Sequence, residues 1–246
     1  KFVDKSMLIA EVSSVMMTEN RFLCVTRARR FGKSVAVKML NAYYDKSCDS
    51  RELFKGLAIS KNEDFEKHLN HYPVLYLDMT DFVTKYGKDE HIVEYIKRDI
   101  CEELLSLYEG VKMKPNDDLM DLLVSIADHT GEKFICLIDE WDALCREGQE
   151  RQMDEYVDLL RRLFKGSMTE YAFACCYMTG ILPIKRYNTQ SALNNFDEYT
   201  MLSPAQLAPY FGFTEKEVEG LCADGEMDIY EMKRWYDGYE LGKEKA

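Results

Sequence analysis

With 246 residues, 46% of them apolar, the chain has material for one large α/β domain, or for one core with a smaller attachment. Its 44 acidic and 32 basic residues give a formal charge of -12. That argues against nonspecific nucleic-acid binding by the domain as a whole, because phosphate contacts need net positive surface. No apolar run approaches the ~20 residues of a membrane span, and Lys1 to Ser6 do not form a signal peptide.

From the N-terminus onward, apolar runs of strand length alternate with longer segments of helical period. "RFLCVT" (21–26) predicts a buried strand, and "KSVAVKMLNAYYD" (33–45) a helix with Val35, Met39, Leu40 and Tyr43 on one face. "PVLYLDM" (73–79) predicts a second strand, opened by Pro73, where a missing N–H is tolerated. A long helix is expected from about Glu90 to Tyr108. "KFICLIDE" (133–140) is a third strand, apolar until it ends in two carboxylates. Met153 to Phe164 is amphipathic helix, and "YAFACCYMTG" (171–180) a fourth strand. Near-continuous apolar strands separated by helices indicate a parallel sheet covered on both faces. Beyond about Asn194 the pattern changes to short capped helices, such as one with Thr214 before "EKEV". Residues 1–199 therefore read as the core and 200–246 as a small helical attachment.

Eight cysteines stand at 24, 48, 101, 136, 145, 175, 176 and 222, with no C-x-x-C pair. The histidines do not combine with them at zinc-ligand spacing; His68 and His71 read as a surface pair sharing a helix face, without an evident third ligand. Cysteines inside apolar strands behave as small hydrophobes, and a reducing, cytoplasmic compartment is the economical expectation.

Two motifs carry chemistry. "TRARRFGKS" (26–34) has the end of the phosphate-binding pattern G-x-x-x-x-G-K-[ST], but Arg27 stands where the first Gly belongs. It falls between a strand and a helix, the context such a loop requires. Gly32 would let the backbone approach phosphates, and N–H groups from Arg30 to Ser34 with the positive helix end would cradle them. Lys33 would reach the β- and γ-phosphates, and the Ser34 hydroxyl would ligate magnesium. The expected nucleotide-binding set is Arg29, Arg30, Phe31, Gly32, Lys33, Ser34 and Val35, with Thr179. Arg27, Arg29 and Arg30 could add charge toward the phosphates. Alone, the stretch favours a nucleotide loop only moderately over a basic strand-to-helix turn.

The second motif is "FICLIDEWD" (134–142). Asp139 would hold magnesium, directly or through water, and Glu140 would polarise an attacking water as catalytic base. Alone, two carboxylates simply mark a strand end. Both motifs, however, fall at strand carboxyl ends of one parallel sheet, where open α/β folds bind ligands. Thr179 in "YMTG" is either a γ-phosphate sensor or a strand-ending turn residue, and Asp142 could be a helix cap. "EMK" (231–233) matches half of a nuclease motif but lacks a supporting strand.

On these residues the sequence resembles the bacterial AAA-ATPase-like proteins, which often precede a PD-(D/E)XK-type nuclease domain. "FVDKSMLIAEV" (2–12), "LFKGLAIS" (53–60), "LIDEWDAL" (137–144), "TGILPI" (179–184), "SALNNF" (191–196), "FGFTEKEV" (211–218) and "WYDGYELG" (235–242) fall in the family's order. The arginine-rich loop is similar to the family's T-R-P-R-R-F-G-K-[ST], with Ala28 for the common Pro, and Trp141 replaces a common Tyr. The resemblance implies an additional-strand (ASCE-type) P-loop NTPase core, with a strand between the loop strand and the Asp-Glu strand, and a helical lid. It implies ATP and Mg2+ as cofactors and keeps the roles of Lys33, Ser34, Asp139 and Glu140. ATP over GTP rests on it, since no N-K-x-D stretch is present. The chain stops at Ala246, short of the nuclease domain that often follows.

The resulting expectation is a magnesium-dependent ATPase acting as a nucleotide-driven switch, slow in isolation. The alternative is a non-hydrolysing nucleotide sensor that regulates a fused or partner nuclease domain. A third reading, DNA gripped by Arg27, Arg29 and Arg30, is opposed by the net charge, so nucleic acid is not expected directly at this domain. No membrane contact is expected, and an oligomer is compatible with the family. Arg161, Arg162 and Arg186 are unranked candidates for an arginine finger. Trp235, Tyr236 and Tyr239 are expected either to seal the lid or to pack it on the core.

Overall fold

The computed structural model describes residues 2–87, 89–147, 150–184, 193–225, 227–235, 240–241 and 244–245. Its centre is a five-stranded parallel sheet: β1 (Phe22–Thr26), β2 (Val74–Asp78), β3 (Phe134–Asp139), β4 (Phe173–Gly180) and β5 (Asp197–Tyr199). The order is β2-β3-β4-β1-β5, so β4 lies between the loop strand and the Asp-Glu strand, as expected. Every residue of β1, β3 and β4 is buried, whereas β2 at the edge alternates half-buried with buried. This is the burial a parallel sheet covered on both faces requires.

Alternation along the strands divides the core in two. Phe22, Cys24, Cys136, Cys176 and Met178 face α5 (Met79–Tyr86), α6 (Ile92–Leu107), α7 (Leu119–Thr130) and α9 (Glu150–Phe164). Leu23, Val25, Ile135, Leu137, Cys175 and Tyr177 face α1 (Leu8–Val15) and α2 (Lys33–Tyr44), with Phe54 of α3 (Arg51–Phe54) and Phe65 of α4 (Phe65–His68) filling in below. Two short helices, α8 (Ala143–Glu147) and α10 (Thr169–Ala172), flank β3 and β4. Truncating any fully buried Leu here would cost ~2–5 kcal/mol.

Several expectations need correction. The buried face of α2 is Ala36, Val37, Leu40, Tyr43 and Tyr44; Met39 is half-buried and Val35 is 68% exposed. Leu40 and Tyr43 are buried as expected, and Tyr43 and Tyr44 meet edge to face with ring centres 5.0 Å apart. His68 and His71 do not share a helix face, because α4 ends at His68. His68 is buried with Nδ1 2.8 Å from the Tyr72 hydroxyl, while His71 is exposed. The helix α7 and the strand β5 were not expected. α7 announces itself with a capping box, Asp118 accepting from Met120 and Asp121 N–H while Asp121 accepts from Asp118 N–H.

Beyond β5 come a 3-10 helix (Ala205–Tyr210), α11 (Glu215–Gly225), α12 (Ile229–Trp235) and an antiparallel pairing of Glu240–Leu241 with Glu244–Lys245. The Thr214 cap is present: Thr214 N–H donates to Glu217 and its hydroxyl accepts from Glu217 N–H. Residues 209–217 are fastened to the N-terminal segment. Lys5 donates to the Pro209 carbonyl at 2.5 Å and to Glu217 at 2.6 Å, and the Tyr210 hydroxyl donates to Glu11. Tyr236, Tyr239 and the side chain of Trp235 lie outside the described residues.

Candidate functional site

The carboxyl ends of β1, β3 and β4 meet at one edge of the sheet. Thr26 is level with Gly180, and Val25 with Thr179. From β1 the chain turns through residues 27–32 into α2, with left-handed backbone at Arg30 (φ 70°) and Gly32 (φ 82°). A Cβ at Gly32 would meet nothing within 4 Å, so the glycine is required by its backbone angle, and the space beside it is open. No side-chain hydrogen bond caps the N-terminus of α2, so the positive end of its dipole is not met by a side-chain cap. Helix starts of this kind are able to receive an anion.

Lys33 is 5% exposed. Its ammonium donates to the Ala28 carbonyl at 3.3 Å and stands 3.5 Å from Glu140 Oε1. The two sequence motifs therefore converge in space. Glu140 takes a left-handed backbone angle (φ 50°), uncommon for a residue with a Cβ and of the kind found at functional sites. Its other oxygen, Oε2, accepts from Arg146 Nη2 at 2.6 Å. Asp139, 1% exposed, accepts through Oδ1 from the Thr179 hydroxyl at 2.6 Å and from Glu140 N–H at 3.0 Å. Thr179 is thus buried against the Asp139 carboxylate. Ser34 is half-buried in the first turn of α2, Phe31 is half-buried, and Arg29 and Arg30 are exposed beside the loop.

Arg27 is corrected. It is fully buried, donating through Nη1 to the carbonyls of Thr26 (2.9 Å) and Tyr199 (2.6 Å), with its guanidinium 5.0 Å from the centre of the Phe211 ring. Burial lowers its pKa to about 10. It is therefore turned into the fold and is available neither to phosphate nor to DNA. Asp142 is also corrected: it is fully buried, and its side chain accepts from the N–H groups of Ile181 (3.2 Å) and Leu182 (3.0 Å). Its role is to hold the segment after β4. Gly180 must be glycine here, since a Cβ would lie 2.5 Å from Trp141 and 2.7 Å from Asp142.

Sequence reasoning missed Arg146, Phe211 and Gly212. Arg146 sits four residues after Asp142 and six after Glu140, and its Nε is 3.3 Å from Asp142 Oδ2; the i,i+4 acid-base spacing was the available signal. Gly212 N–H donates to the Phe31 carbonyl at 3.1 Å, joining the C-terminal segment to the loop. Asp78, level with Asp139 across β2 and β3, has its carboxyl pKa raised, first by burial and then by Asp81 and Asp139 against the Thr80 N–H. Arg161 and Arg162 reach Asp158 and Asp118, and Arg186 lies outside the described residues.

Among the described residues no group of three or more His, Cys, Asp and Glu could hold a metal by itself, and no helix is long and apolar enough to cross a membrane. Two clefts, of about 590 and 500 Å3, open between β2 and α6 and beside α1. Neither is lined by the loop or by Asp139 and Glu140.

A family model described as "Predicted AAA-ATPase" matches residues 1–189. No protein of curated function is significantly similar in sequence. Among solved structures, the fold is similar to a DNA replication initiation factor, with 11% identity, a TM-score of 0.44, and coverage of 96% of this chain and 56% of that one. It is also similar to the Aeropyrum pernix ORC2 protein in ADPNP-ADP complexes, with 9% identity, a TM-score of 0.45, and coverage of 89% and 50%. The chain thus spans about half the length of these solved proteins.

Proposed function

The chain belongs to the AAA-ATPase-like family, and from that premise we propose that it binds ATP at the Arg29–Val35 loop and hydrolyses it slowly, as a nucleotide-driven switch. The observation that carries the reading is the 3.5 Å approach of Lys33 to Glu140 beside an uncapped helix N-terminus. Each group then has a task. The N–H groups of the loop and the first turn of α2 bind phosphate oxygens. Lys33 exchanges its long contacts, to Ala28 and Glu140, for the β- and γ-phosphates. Glu140 takes a proton from water, and Thr179 holds Asp139 in one orientation. Thr179 is thereby a support for the acid, with a γ-phosphate contact left as a proposal.

The donor set fits a magnesium ion. Such ions take one or two protein oxygens and complete their shell with water and phosphate. Ser34 and Asp139 supply a hydroxyl and a carboxylate, and both hydrogen bonds to Asp139 fall on Oδ1, leaving Oδ2 for a cation. The ion would supply neutralisation of phosphate charge.

One observation favours the sensor alternative: both oxygens of Glu140 are engaged by cations. In that reading the domain reports bound nucleotide to a nuclease domain, fused or separate, without turnover. A single-turnover assay with and without that nuclease domain separates the two. Phosphate release by the wild-type protein, reduced ~10²–10⁴-fold in Glu140→Gln with ATP still bound, supports the ATPase. Intact binding without turnover under either condition leaves the sensor.

A further inference from the structure

Resting on the reading that Lys33 receives phosphate, we propose that Arg146 is a positioning residue that keeps Glu140 from neutralising Lys33. The two oxygens of Glu140 are shared unequally. Oε2 makes a short charge-assisted hydrogen bond to Arg146 at 2.6 Å, whereas Oε1 is only a loose 3.5 Å neighbour of the Lys33 ammonium. The side chains of Arg146 and Glu140 are 17% and 19% exposed and that of Lys33 is 4% exposed, so water screens these charges weakly.

Asp142 stands behind Arg146. Arg146 Nε lies 3.3 Å from Asp142 Oδ2, an ion-pair contact without hydrogen-bond geometry, and Asp142 itself accepts from the backbone N–H groups of Ile181 and Leu182. A planar guanidinium can donate to Glu140 while its charge faces Asp142, which a lysine ammonium does less well. The bracing runs from the segment after β4 through Asp142 and Arg146 to Glu140.

The consequence concerns Lys33. With Glu140 drawn to Arg146, Lys33 keeps two long contacts, 3.3 Å to Ala28 and 3.5 Å to Glu140, both easily exchanged for phosphate oxygens. Without Arg146, the carboxylate would close on Lys33, and phosphate would first have to break a buried ion pair, whose separation is costly. Once Lys33 turns to phosphate, Oε1 is released while Oε2 stays anchored.

The test is the binding of ATP and Mg2+ by calorimetry to wild type, Arg146→Gln, Arg146→Lys, Glu140→Gln and the double variant Glu140→Gln/Arg146→Gln. Arg146→Gln is expected to weaken binding about tenfold, which is ~1.4 kcal/mol. Arg146→Lys should recover part of it. In the Glu140→Gln background the loss should vanish, because no carboxylate remains to capture Lys33. Wild-type affinity in Arg146→Gln, or an equal loss with and without Glu140, overturns the proposal; the latter would mark plain attraction of phosphate to Arg146 or damaged packing. If Arg146→Gln does not fold, Arg146→Lys carries the test, with a severalfold loss expected only when Glu140 is present. Failure of the wild type to bind ATP would remove the nucleotide reading and this inference together. ATP binding that ignores Arg146 removes this inference alone.

Discussion

The buried Lys33 side chain leans on one carbonyl and one carboxylate, both at long range. Lys33→Ala removes a charged donor to phosphate, a loss of ~1.5–3 kcal/mol. ATP affinity is then expected to fall about 10- to 150-fold, read by calorimetry with the fold checked by circular dichroism. Gly180→Ala acts elsewhere in the same region. Its methyl would strike the Trp141 ring and the Asp142 carboxylate, so chemical denaturation should show a loss of ~1–3 kcal/mol. Of the candidate site, the meeting of Lys33 with Glu140 was legible in the sequence, because both motifs have fixed spacing at strand ends. Arg27 and Arg146 were not. A buried arginine and an exposed one look alike in a sequence, and only the approach of β5 and Phe211 turns Arg27 inward.

Among the elements, the strands that carry the site were legible because β1, β3 and β4 are apolar on both faces. β5 was not, since "DEY" is three residues long with two acids, and only pairing with β1 makes it a strand. On α2, Leu40 and Tyr43 were read correctly as buried, but Val35 was not, because apolar character alone does not fix which side of a helix start meets the sheet. The pairing of α5 with α6 gives a prediction of its own. Asp99 on α6 accepts from Lys85 at 2.7 Å and from the Tyr86 hydroxyl, both on α5, and from Arg98 beside it. The Lys85 hydrogen bond first, then Tyr86 and Arg98, lower its pKa from 3.8 to about 2. A carboxylate held below its unfolded value stabilises the fold fully above about pH 4, and that contribution is lost as pH falls from 4 towards 2. The site is close to solvent, so the effect is modest. Asp99→Asn should flatten the acid limb of the stability curve in that window, measured by urea unfolding at pH 5, 4, 3 and 2. An unchanged acid limb would mean the clamp contributes nothing.

At the scale of the whole molecule, the two-faced parallel sheet with a strand between β1 and β3 was readable from the order of strands and helices together with the family likeness. How residues 205–217 sit was not readable, because their contacts join segments some two hundred positions apart, as Lys5 joins Pro209 and Glu217. Those residues do more than cover an end of the core: Phe211 lies over Arg27, and Gly212 N–H binds the Phe31 carbonyl inside the loop. A hydrogen bond of this kind works in both directions. If ATP stiffens the loop and so tightens the grip on Gly212, that grip must raise ATP affinity by the same factor, since the two sites share one coupling free energy. Such couplings are typically ~1–3 kcal/mol. Amide exchange at Gly212 should therefore slow when ATP is added, and Phe211→Ala, which loosens the grip, should weaken ATP binding by a matching factor. A sequence change far along the chain from any phosphate contact would then tune how much nucleotide the loop holds.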